Sequence, residues 1–200
     1  MKPLIALLVG CLMSQIAFAE DIYLPEPNKT GKTTLMQALE DRHSDRTFAE
    51  TPVDERTLST VLWTAFGVNR SDGKRTIPTA LDKKDLSIYV FNRDGIWLYD
   101  ADNNLLKQVS DQNRLDLFQT QDYMSSVSTV LVYTGSAEEY AAMHAGSAYQ
   151  NVNLFAAANN MASIVRGYFD KEQVAEALAL PKDQRVIISQ AIGFTNNSVP

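Results

Sequence analysis

The sequence predicts a sandwich of helices and strands built on one sheet, in the α+β or mixed α/β class. Three observations lead to this prediction. The one tight hairpin pattern lies early in the chain, helical and strand patterns alternate irregularly after it, and one long helical segment carries no charged residue. The chain has 200 residues, of which 45% are hydrophobic, so it can form a single domain with a sizeable core.

The first 19 residues predict a cleaved signal peptide. Met1-Lys2 is a short positive start, an apolar run follows it, and Ala17-Phe18-Ala19 has the small-x-small form of a cleavage site. Leu8-Val9-Gly10-Cys11 resembles a lipobox, so lipidation of Cys11 is the alternative, and only then do we expect membrane attachment. Both routes predict an exported protein, in the periplasm. Residues 20–32 are a Pro-containing arm, and residues 33–200 are the single domain.

Two helices and the hairpin are predicted next. Residues 33–42 form a short helix with apolar residues on one face, and Thr51-Pro52-Val53-Asp54 has the pattern of a helix start with a hydroxyl cap. Apolar residues continue from there at helical spacing to Gly67. The segments 86–91 and 96–99 then form the two strands of the hairpin.

A long helix extending to about Met161 dominates the second half of the chain. From Tyr140 to Val165 there is no Asp, Glu, Lys or Arg. A helix without a charged face is buried on most sides, and in a domain of this size a subunit interface explains such burial best. The other predicted elements of this half are strands at 127–133, 164–165 and 186–193 and a helix at 170–179.

The composition excludes several classes of function. Formal net charge is -6, so nucleic acid is not an expected partner. The only cysteine lies in the predicted signal peptide, so the mature chain has no disulfide, thiol nucleophile or cysteine ligand. The two histidines, His43 and His144, lack a second ligand at metal-binding spacing. We therefore expect no metal site, and spacing supports no Ser-His-Asp arrangement.

Two short segments are candidate anion sites. Gly31-Lys32-Thr33-Thr34 resembles the end of a P-loop, but Glu26 stands where that motif needs glycine, and a Pro-containing arm replaces the upstream strand. We interpret it as a glycine turn followed by a Thr-capped helix start. Arg42-His43-Ser44-Asp45-Arg46 offers two guanidiniums and a hydroxyl that could grip a phosphate. On local residues alone, a solvated basic turn is the simpler interpretation.

The long helix contains Gly146, Gln150 and Asn151. Glycine allows another backbone to approach, and the amides could satisfy the polar groups of a bound heterocycle. Helix packing with satisfied amides explains the same residues equally well.

Taken together, these segments resemble the nitroreductase-like FMN oxidoreductases, most closely the branch that includes the azoline-oxidising dehydrogenases of peptide biosynthesis. The matching stretches occur in the family's order from about Thr30 to Phe194. Among them are LMQALEDRHSDRTF, RTIPTALDKKDLSIYVF, AGSAYQNVNLFAAANNM and IVRGYFD. Each is moderately specific, and their order and spacing together carry the resemblance.

The resemblance implies an α+β nitroreductase-like sandwich with one mixed, mainly antiparallel sheet flanked by helices. It also implies an obligate homodimer with FMN bound at the interface, beside the long helix. The residues implied for the phosphate and ribityl end are Arg42, His43, Ser44 and Arg46. Those implied near the flavin are Pro78, Thr79, Asp82, Lys84, Gln150 and the backbone of Val165, Arg166 and Gly167.

Two departures from the family pattern stand out. Asp82 and Lys84 occupy positions where the family usually has Asn and Gln. The C-terminal GFTNNSVP lacks the basic residue with which many members bind the phosphate. Both departures keep open the alternative of a non-catalytic flavin- or ligand-binding descendant.

The implied activity is ping-pong transfer of hydride or electrons through flavin N5, to or from a small-molecule or peptide substrate. This chemistry requires no catalytic acid or base from the protein. Arg166 or Lys84 could supply positive charge beside the reduced ring. Since reduced nicotinamides are scarce outside the cytoplasm, a quinol or a redox partner protein is an alternative donor.

Overall fold

The structure, a computed structural model, describes residues 21–137 and 139–196. The predicted signal peptide therefore lies outside the described residues. The elements in chain order are β1 (Ile22–Tyr23), α1 (Leu35–Asp41), α2 (Glu55–Phe66), β2 (Leu86–Asn92), β3 (Gly95–Asp100), β4 (Leu105–Ser110), β5 (Thr129–Ser136), α3 (Glu139–Ala158), β6 (Met161–Arg166), α4 (Lys171–Ala177) and β7 (Gln184–Phe194). Short 3₁₀ turns cover Ala80–Asp82, Leu115–Phe118 and Asp122–Ser126.

The described strands form one sheet in the order β1-β4-β3-β2-β5-β7-β6. Every pair of neighbouring strands is antiparallel. One antiparallel sheet flanked by helices confirms the α+β prediction. β5 and β7 lie between β2 and β6, and each neighbouring pair is antiparallel, so β6 runs opposite to β2. The end of β6 and the start of β2 therefore lie at the same end of the sheet.

Each face of the sheet has its own core. On one face α2 and α3 pack against the sheet, and Leu62, Val90 and Ala148 are buried there. On the other face α4 and the turns at 115–126 cover a second cluster that includes Phe118 and Ile164. We call these the α3 face and the α4 face. Side chains of each strand alternate between them.

The starts of the first two helices bear on the sequence interpretation. Thr34 caps α1, its hydroxyl accepting the Gln37 N–H at 3.2 Å, so the interpretation of the Gly31–Thr34 segment as a turn and helix cap is confirmed. The hydroxyl cap predicted at Thr51 is wrong. Asp54 is the cap of α2, because its carboxylate accepts both the N–H and the hydroxyl of Thr57, at 2.9 and 2.7 Å.

The sequence analysis missed β4 and a second hairpin. β3 and β4 are joined by a four-residue turn, Ala101–Asn104, in which Asn104 has φ 49°, and Asp100 pairs with Leu105. The pattern LLKQVS was not assigned because it has little β-branched content and includes Lys107 and Gln108. Its two leucines are buried, while its later residues face outward.

The long helix α3 buries one face within a single chain. Ala141, Ala145, Ala148, Val152 and Ala156 are fully or nearly fully buried. Tyr140 and Met143 are exposed, and Gly146, Gln150 and Asn151 are half-buried. The single chain therefore provides only part of the burial expected for this uncharged helix. Among the described residues no helix is both long and apolar enough to cross a membrane.

Candidate functional site

The segment from Arg42 to Thr47 is irregular backbone that runs beside the edge strand β6. The Asp45 N–H donates to the Ser163 carbonyl at 3.1 Å, and Phe48 forms an isolated bridge with Thr195. Asp41, His43, Asp45 and Thr47 line one cavity on this segment. The residues between them, Arg42, Ser44 and Arg46, do not line it, so we infer that they lie on the other side.

Arg42, Ser44 and Arg46 form a set of donors with little internal engagement. Within the described part of the chain, the side chains of Arg42 and Ser44 have no hydrogen-bond partner, and Ser44 and Arg46 are exposed. Arg46 lies over the ring of Tyr123, 5.7 Å from its centroid. Two guanidiniums and a hydroxyl arranged in this way fit a phosphate group, which accepts charge-assisted hydrogen bonds from such donors.

His43 lies on the other side of the segment. It lines a cavity of about 430 Å³ together with Asp41, Asp45 and Thr47. Its Nδ1–H donates to the Asp41 carbonyl at 2.8 Å, and its Nε2 lies 3.8 Å from an Asp45 carboxylate oxygen. Two carboxylates in this cavity disfavour an anion, so the structure separates the His43 side chain from the arginines with which it was grouped.

The side chains at the end of β6 alternate between the two faces of the sheet. Met161 belongs to the core on the α3 face, and Ser163 bonds to Asn153 of α3. Val165 follows them in the alternation, so it lies on that face too. Arg166 lies on the α4 face.

The Arg166 guanidinium is engaged by the loop that precedes β5. It donates to the Phe118 carbonyl at 3.1 Å, to the Thr120 hydroxyl at 2.6 Å and to Gln121 Oε1 at 3.2 Å. The side chain is only 4% exposed. It is therefore not free to supply positive charge to a ligand, and the role predicted for Val165, Arg166 and Gly167 depends on their backbone.

The predicted residues between 78 and 84 line three cavities, of which one, of about 250 Å³, is shared by Pro78, Thr79 and His144. Pro78, Thr79 and Asp82 line one of about 270 Å³, whose other lining residues include the cations Arg70 and Lys74. Lys84 lines a separate cavity of about 280 Å³ with Arg75, Tyr99 and Lys107 among its walls. The structure therefore brings Pro78, Thr79 and Asp82 together and places Lys84 apart from them.

Buried His144 and partly exposed Asp85 form a pair that the sequence analysis missed. His144 Nε2 accepts the Ala80 N–H at 2.9 Å, and Nδ1 lies 2.7 Å from Asp85 Oδ1. A backbone N–H can only donate, so Nε2 carries the lone pair and the proton sits on Nδ1, which donates to Asp85. Ser136 donates to the other Asp85 oxygen at 3.3 Å, so the serine contacts the carboxylate and not the imidazole. This order is not that of a nucleophilic triad.

The two amides of α3 have different surroundings. Asn151 donates to the Thr64 carbonyl of α2 at 3.2 Å, which is the helix-packing role that the sequence left open. Gln150 accepts from Asn153 Nδ2 at 3.4 Å.

Asn153 belongs to a buried polar network on the α3 face of the sheet. Its Oδ1 accepts from Ser163 at 3.0 Å and from Gln190 Nε2 at 2.9 Å. Gln190 Oε1 accepts from the Tyr133 hydroxyl at 2.6 Å. Burial raises the pKa of Tyr133 far above its ordinary value, so its hydroxyl stays protonated. The network ties α3 to β5, β6 and β7 beside Gln150 and Val165.

Two groups of predicted site residues lie at opposite ends of α3. His144 contacts the 78–82 loop, whereas Ala157 lines the cavity beside His43. The rise of an α-helix separates these two helical positions by about 20 Å. One chain therefore holds the Arg42–Arg46 segment and the Pro78–Asp82 loop far apart. In residues 21–137 and 139–196 no group of three His, Asp or Glu side chains could hold a metal ion.

Comparisons with known proteins agree with this fold. A family model described as the nitroreductase family matches residues 39–194. A solved structure from Ralstonia eutropha JMP134, of a protein assigned as a nitroreductase, has a TM-score of 0.82 and 31% identity, covering 88% of this chain and 89% of that chain. A relative from Methanocaldococcus jannaschii with the same assignment is 25% identical over 167 residues, 73% of this chain and 84% of the relative.

A component of the Escherichia coli microcin synthetase McbBCD complex shares the fold at greater distance. Its TM-score is 0.67 at 16% identity, covering 98% of this chain and 85% of that chain.

Proposed function

The chain belongs to the nitroreductase family, and we propose that it is an FMN-dependent oxidoreductase. The observation that carries this proposal is the donor set of Arg42, Ser44 and Arg46. These side chains lie outside the cavity that His43 and Asp45 line, and they are largely free of internal partners among the described residues. They also stand at the positions that the family resemblance assigns to the FMN phosphate.

Other residues would hold the rest of the cofactor. Pro78, Thr79 and Asp82 line a common cavity, and Gln150 presents a half-buried amide next to the network of Asn153. The backbone from Val165 to Gly167 would lie along the ring, because the Arg166 side chain is engaged on the other face of the sheet.

FMN, when bound, supplies hydride or electron transfer at its N5 atom, in a ping-pong order that serves a small-molecule or peptide substrate. The chain's own residues bind and orient the cofactor and substrate. Of the two cations considered for stabilising negative charge, Arg166 is enclosed and Lys84 lines a different cavity from Pro78, Thr79 and Asp82, so within one chain we assign that role to neither side chain. No side chain needs to transfer a proton in this scheme.

We also propose that the active form is a homodimer with FMN at its interface. Leu35, Met36 and Leu39 of α1 are exposed on the single chain, Met36 by 72%. The uncharged helix α3 leaves Tyr140 and Met143 exposed as well. Exposed apolar side chains at this density favour a protein contact. A dimer would also let the Arg42–Arg46 segment of one chain meet the Pro78–Asp82 loop of its partner.

The signal-peptide pattern supports export to the periplasm, or anchoring there through Cys11. In that compartment a quinol or a redox partner protein would be a more plentiful donor than a reduced nicotinamide. Either donor would reduce the bound cofactor, and the substrate would then accept the electrons or hydride.

The test compares one arginine variant with one lysine variant. We expect Arg42→Ala to weaken FMN binding by about 10- to 100-fold, because it removes charge-assisted hydrogen bonds worth roughly 1.5–3 kcal/mol. Lys32→Ala is the control, since Lys32 is an exposed cation in the turn before α1. Fluorescence titration with FMN measures both. Equal effects of the two substitutions would contradict the assignment of the phosphate site.

A non-catalytic flavin-binding descendant is the second candidate. The observations in its favour are Asp82 in the place of the family's Asn and the uncharged C-terminal GFTNNSVP. An acidic residue near the ring disfavours a reduced, anionic flavin. This candidate predicts FMN binding without reduction by quinols, nicotinamides or redox proteins, whereas turnover with any of these donors would exclude it.

A further inference from the structure

The loop from Pro78 to Asp82 has a conformation that its residues do not favour by themselves. Leu81 and Asp82 have φ of 55° and 57°, in the left-handed region where a side chain with Cβ is strained. Leu81 is also 80% exposed, so no burial compensates for its position. Two consecutive strained residues persist only when the surrounding structure holds the loop in place.

His144 holds this loop from α3. Its Nε2 accepts the Ala80 N–H at 2.9 Å, immediately before the two strained residues. The side chain is 3% exposed, so water does not compete for the contact. Local bonds from Asp82 N–H to the Thr79 carbonyl and from Lys83 N–H to the Ala80 carbonyl complete the turn.

Asp85 fixes the orientation of the His144 imidazole. Its carboxylate accepts from Nδ1 at 2.7 Å and is itself contacted by Ser136 at 3.3 Å. In the neutral ring with its proton on Nδ1, Nε2 is the acceptor that the Ala80 N–H needs. Because Asp85 accepts from Nδ1, it orients the ring so that Nε2 faces the Ala80 N–H.

We propose that His144 is a positioning residue that holds the Pro78–Asp82 loop in the conformation required to contact the flavin. The part of this inference that concerns flavin rests on the proposed function. The part that concerns the loop stands on the structure of the chain itself. Asp85 acts one step further away, by accepting the hydrogen bond from Nδ1 and so orienting the imidazole.

Two amide variants separate this role from general packing. Gln at position 144 can place its Oε1 where Nε2 lies and so accept the Ala80 N–H. Asn can place an amide group only near Nδ1, where it can contact Asp85 but does not reach Ala80. Both are neutral and polar: Gln keeps the bond to the loop and gives up the contact with Asp85, whereas Asn keeps the contact with Asp85 and gives up the bond to the loop.

The experiment measures amide hydrogen exchange of residues 79–83 in the full chain without FMN. We expect His144→Asn to accelerate exchange at Ala80 by roughly 10-fold, as loss of one hydrogen bond predicts, and His144→Gln to stay near wild type. Ser147→Ala is a control from the next turn of α3, because Ser147 bonds to the Met143 carbonyl and not to the loop. Exchange in α4 reports whether the fold is intact.

FMN titration of the same variants tests the link to the cofactor. We expect weaker binding by roughly 10-fold for His144→Asn and nearly unchanged binding for His144→Gln, following the same hydrogen bond. Unchanged loop exchange in the Asn variant, or equal changes in both variants, would overturn the proposal. Faster loop exchange with unchanged FMN affinity would overturn the link to flavin. If wild type binds no FMN, the proposed function fails, and the exchange pattern still decides whether His144 holds the loop.

A measurement on the wild-type chain covers the case in which a variant does not fold. The imidazole ¹⁵N chemical shifts distinguish the two neutral tautomers from the charged ring. The Nδ1–H tautomer of His144 at neutral pH is the expected result. A proton on Nε2 would contradict the proposal, because that atom could not then accept the Ala80 N–H.

Discussion

Arg46 and Arg166 both lie against Tyr123, but Arg46 is exposed and Arg166 is buried. Their guanidiniums each lie 5.7 Å from the centroid of the Tyr123 ring. Arg166 is buried and donates to the loop around Thr120, while Arg46 is exposed and contacts the ring from outside. A cation held over an aromatic ring is ordered before any ligand arrives, so Tyr123 would prepare Arg46 to bind an anion.

The ion pair of Asp100 and Lys107 gives a pH prediction at this scale. Their charged atoms lie 2.6 Å apart, joining β3 and β4. The hydrogen bond from Lys107, aided by those from Asn103, lowers the pKa of Asp100 to about 2. Because the folded-state pKa lies below the unfolded value, the stabilisation is present above about pH 4 and is lost as the pH falls toward 2.

We expect Asp100→Asn to lower the free energy of unfolding at pH 7 by about 1 kcal/mol, a modest figure because Lys107 is half exposed and solvent screens the pair. The difference from wild type should shrink between pH 4 and pH 2. Urea denaturation at a series of pH values measures it. A difference that does not depend on pH would show that the pair does not contribute through its charge.

At the scale of elements, the network of Tyr133, Gln190, Ser163 and Asn153 joins three strands to α3. Tyr133→Phe should lower the free energy of unfolding by about 1–3 kcal/mol, because it leaves the Gln190 Oε1 buried without its donor. Chemical denaturation measures the effect.

Tyr23→Phe is the matched control for this prediction, since Tyr23 is highly exposed on β1. It should change the free energy of unfolding by only a few tenths of a kcal/mol. Equal decreases in the free energy of unfolding for the two variants would mean that the Tyr133 hydroxyl does not stabilise the network.

The elements also show what sequence reasoning could reach. Helices α1 to α4 and strands β2, β3, β5, β6 and β7 follow from apolar periodicity, turns and caps, with boundaries shifted by a few residues. β4 carries a weaker pattern because an edge region tolerates residues such as Lys107 and Gln108. The sequence does not single out Asp54 as the cap, because Thr51 followed by Pro52 also has the pattern of a helix start, three positions earlier.

The candidate site was predictable only in part, because several of its contacts join residues that are far apart in the sequence. Arg42, Ser44 and Arg46 have a visible alternating spacing, and the residues between them line a separate cavity. The contact between Asp85 and His144 joins residues 59 positions apart, so no local pattern could indicate it. The same holds for Arg166, whose partners Phe118, Thr120 and Gln121 are distant along the chain.

At the scale of the whole molecule, the exposed apolar face of α1 predicts self-association. Met36→Lys should shift the protein from dimer toward monomer, because a dimer interface that covers this side chain would have to bury a charge. Light scattering after size exclusion measures the mass. Val109→Lys, at an exposed apolar position of β4, should leave the dimer intact. A monomeric wild type, or a dimer unaffected by Met36→Lys, would contradict this interface.

The central claim is that the chain binds FMN and uses it for redox chemistry. The most direct measurement is the visible absorbance spectrum of the purified protein after incubation with FMN and removal of free flavin, followed by anaerobic addition of a quinol or nicotinamide donor. We predict a yellow protein whose flavin absorbance is bleached by a donor and restored by an acceptor. A colourless protein that takes up no FMN would contradict the account.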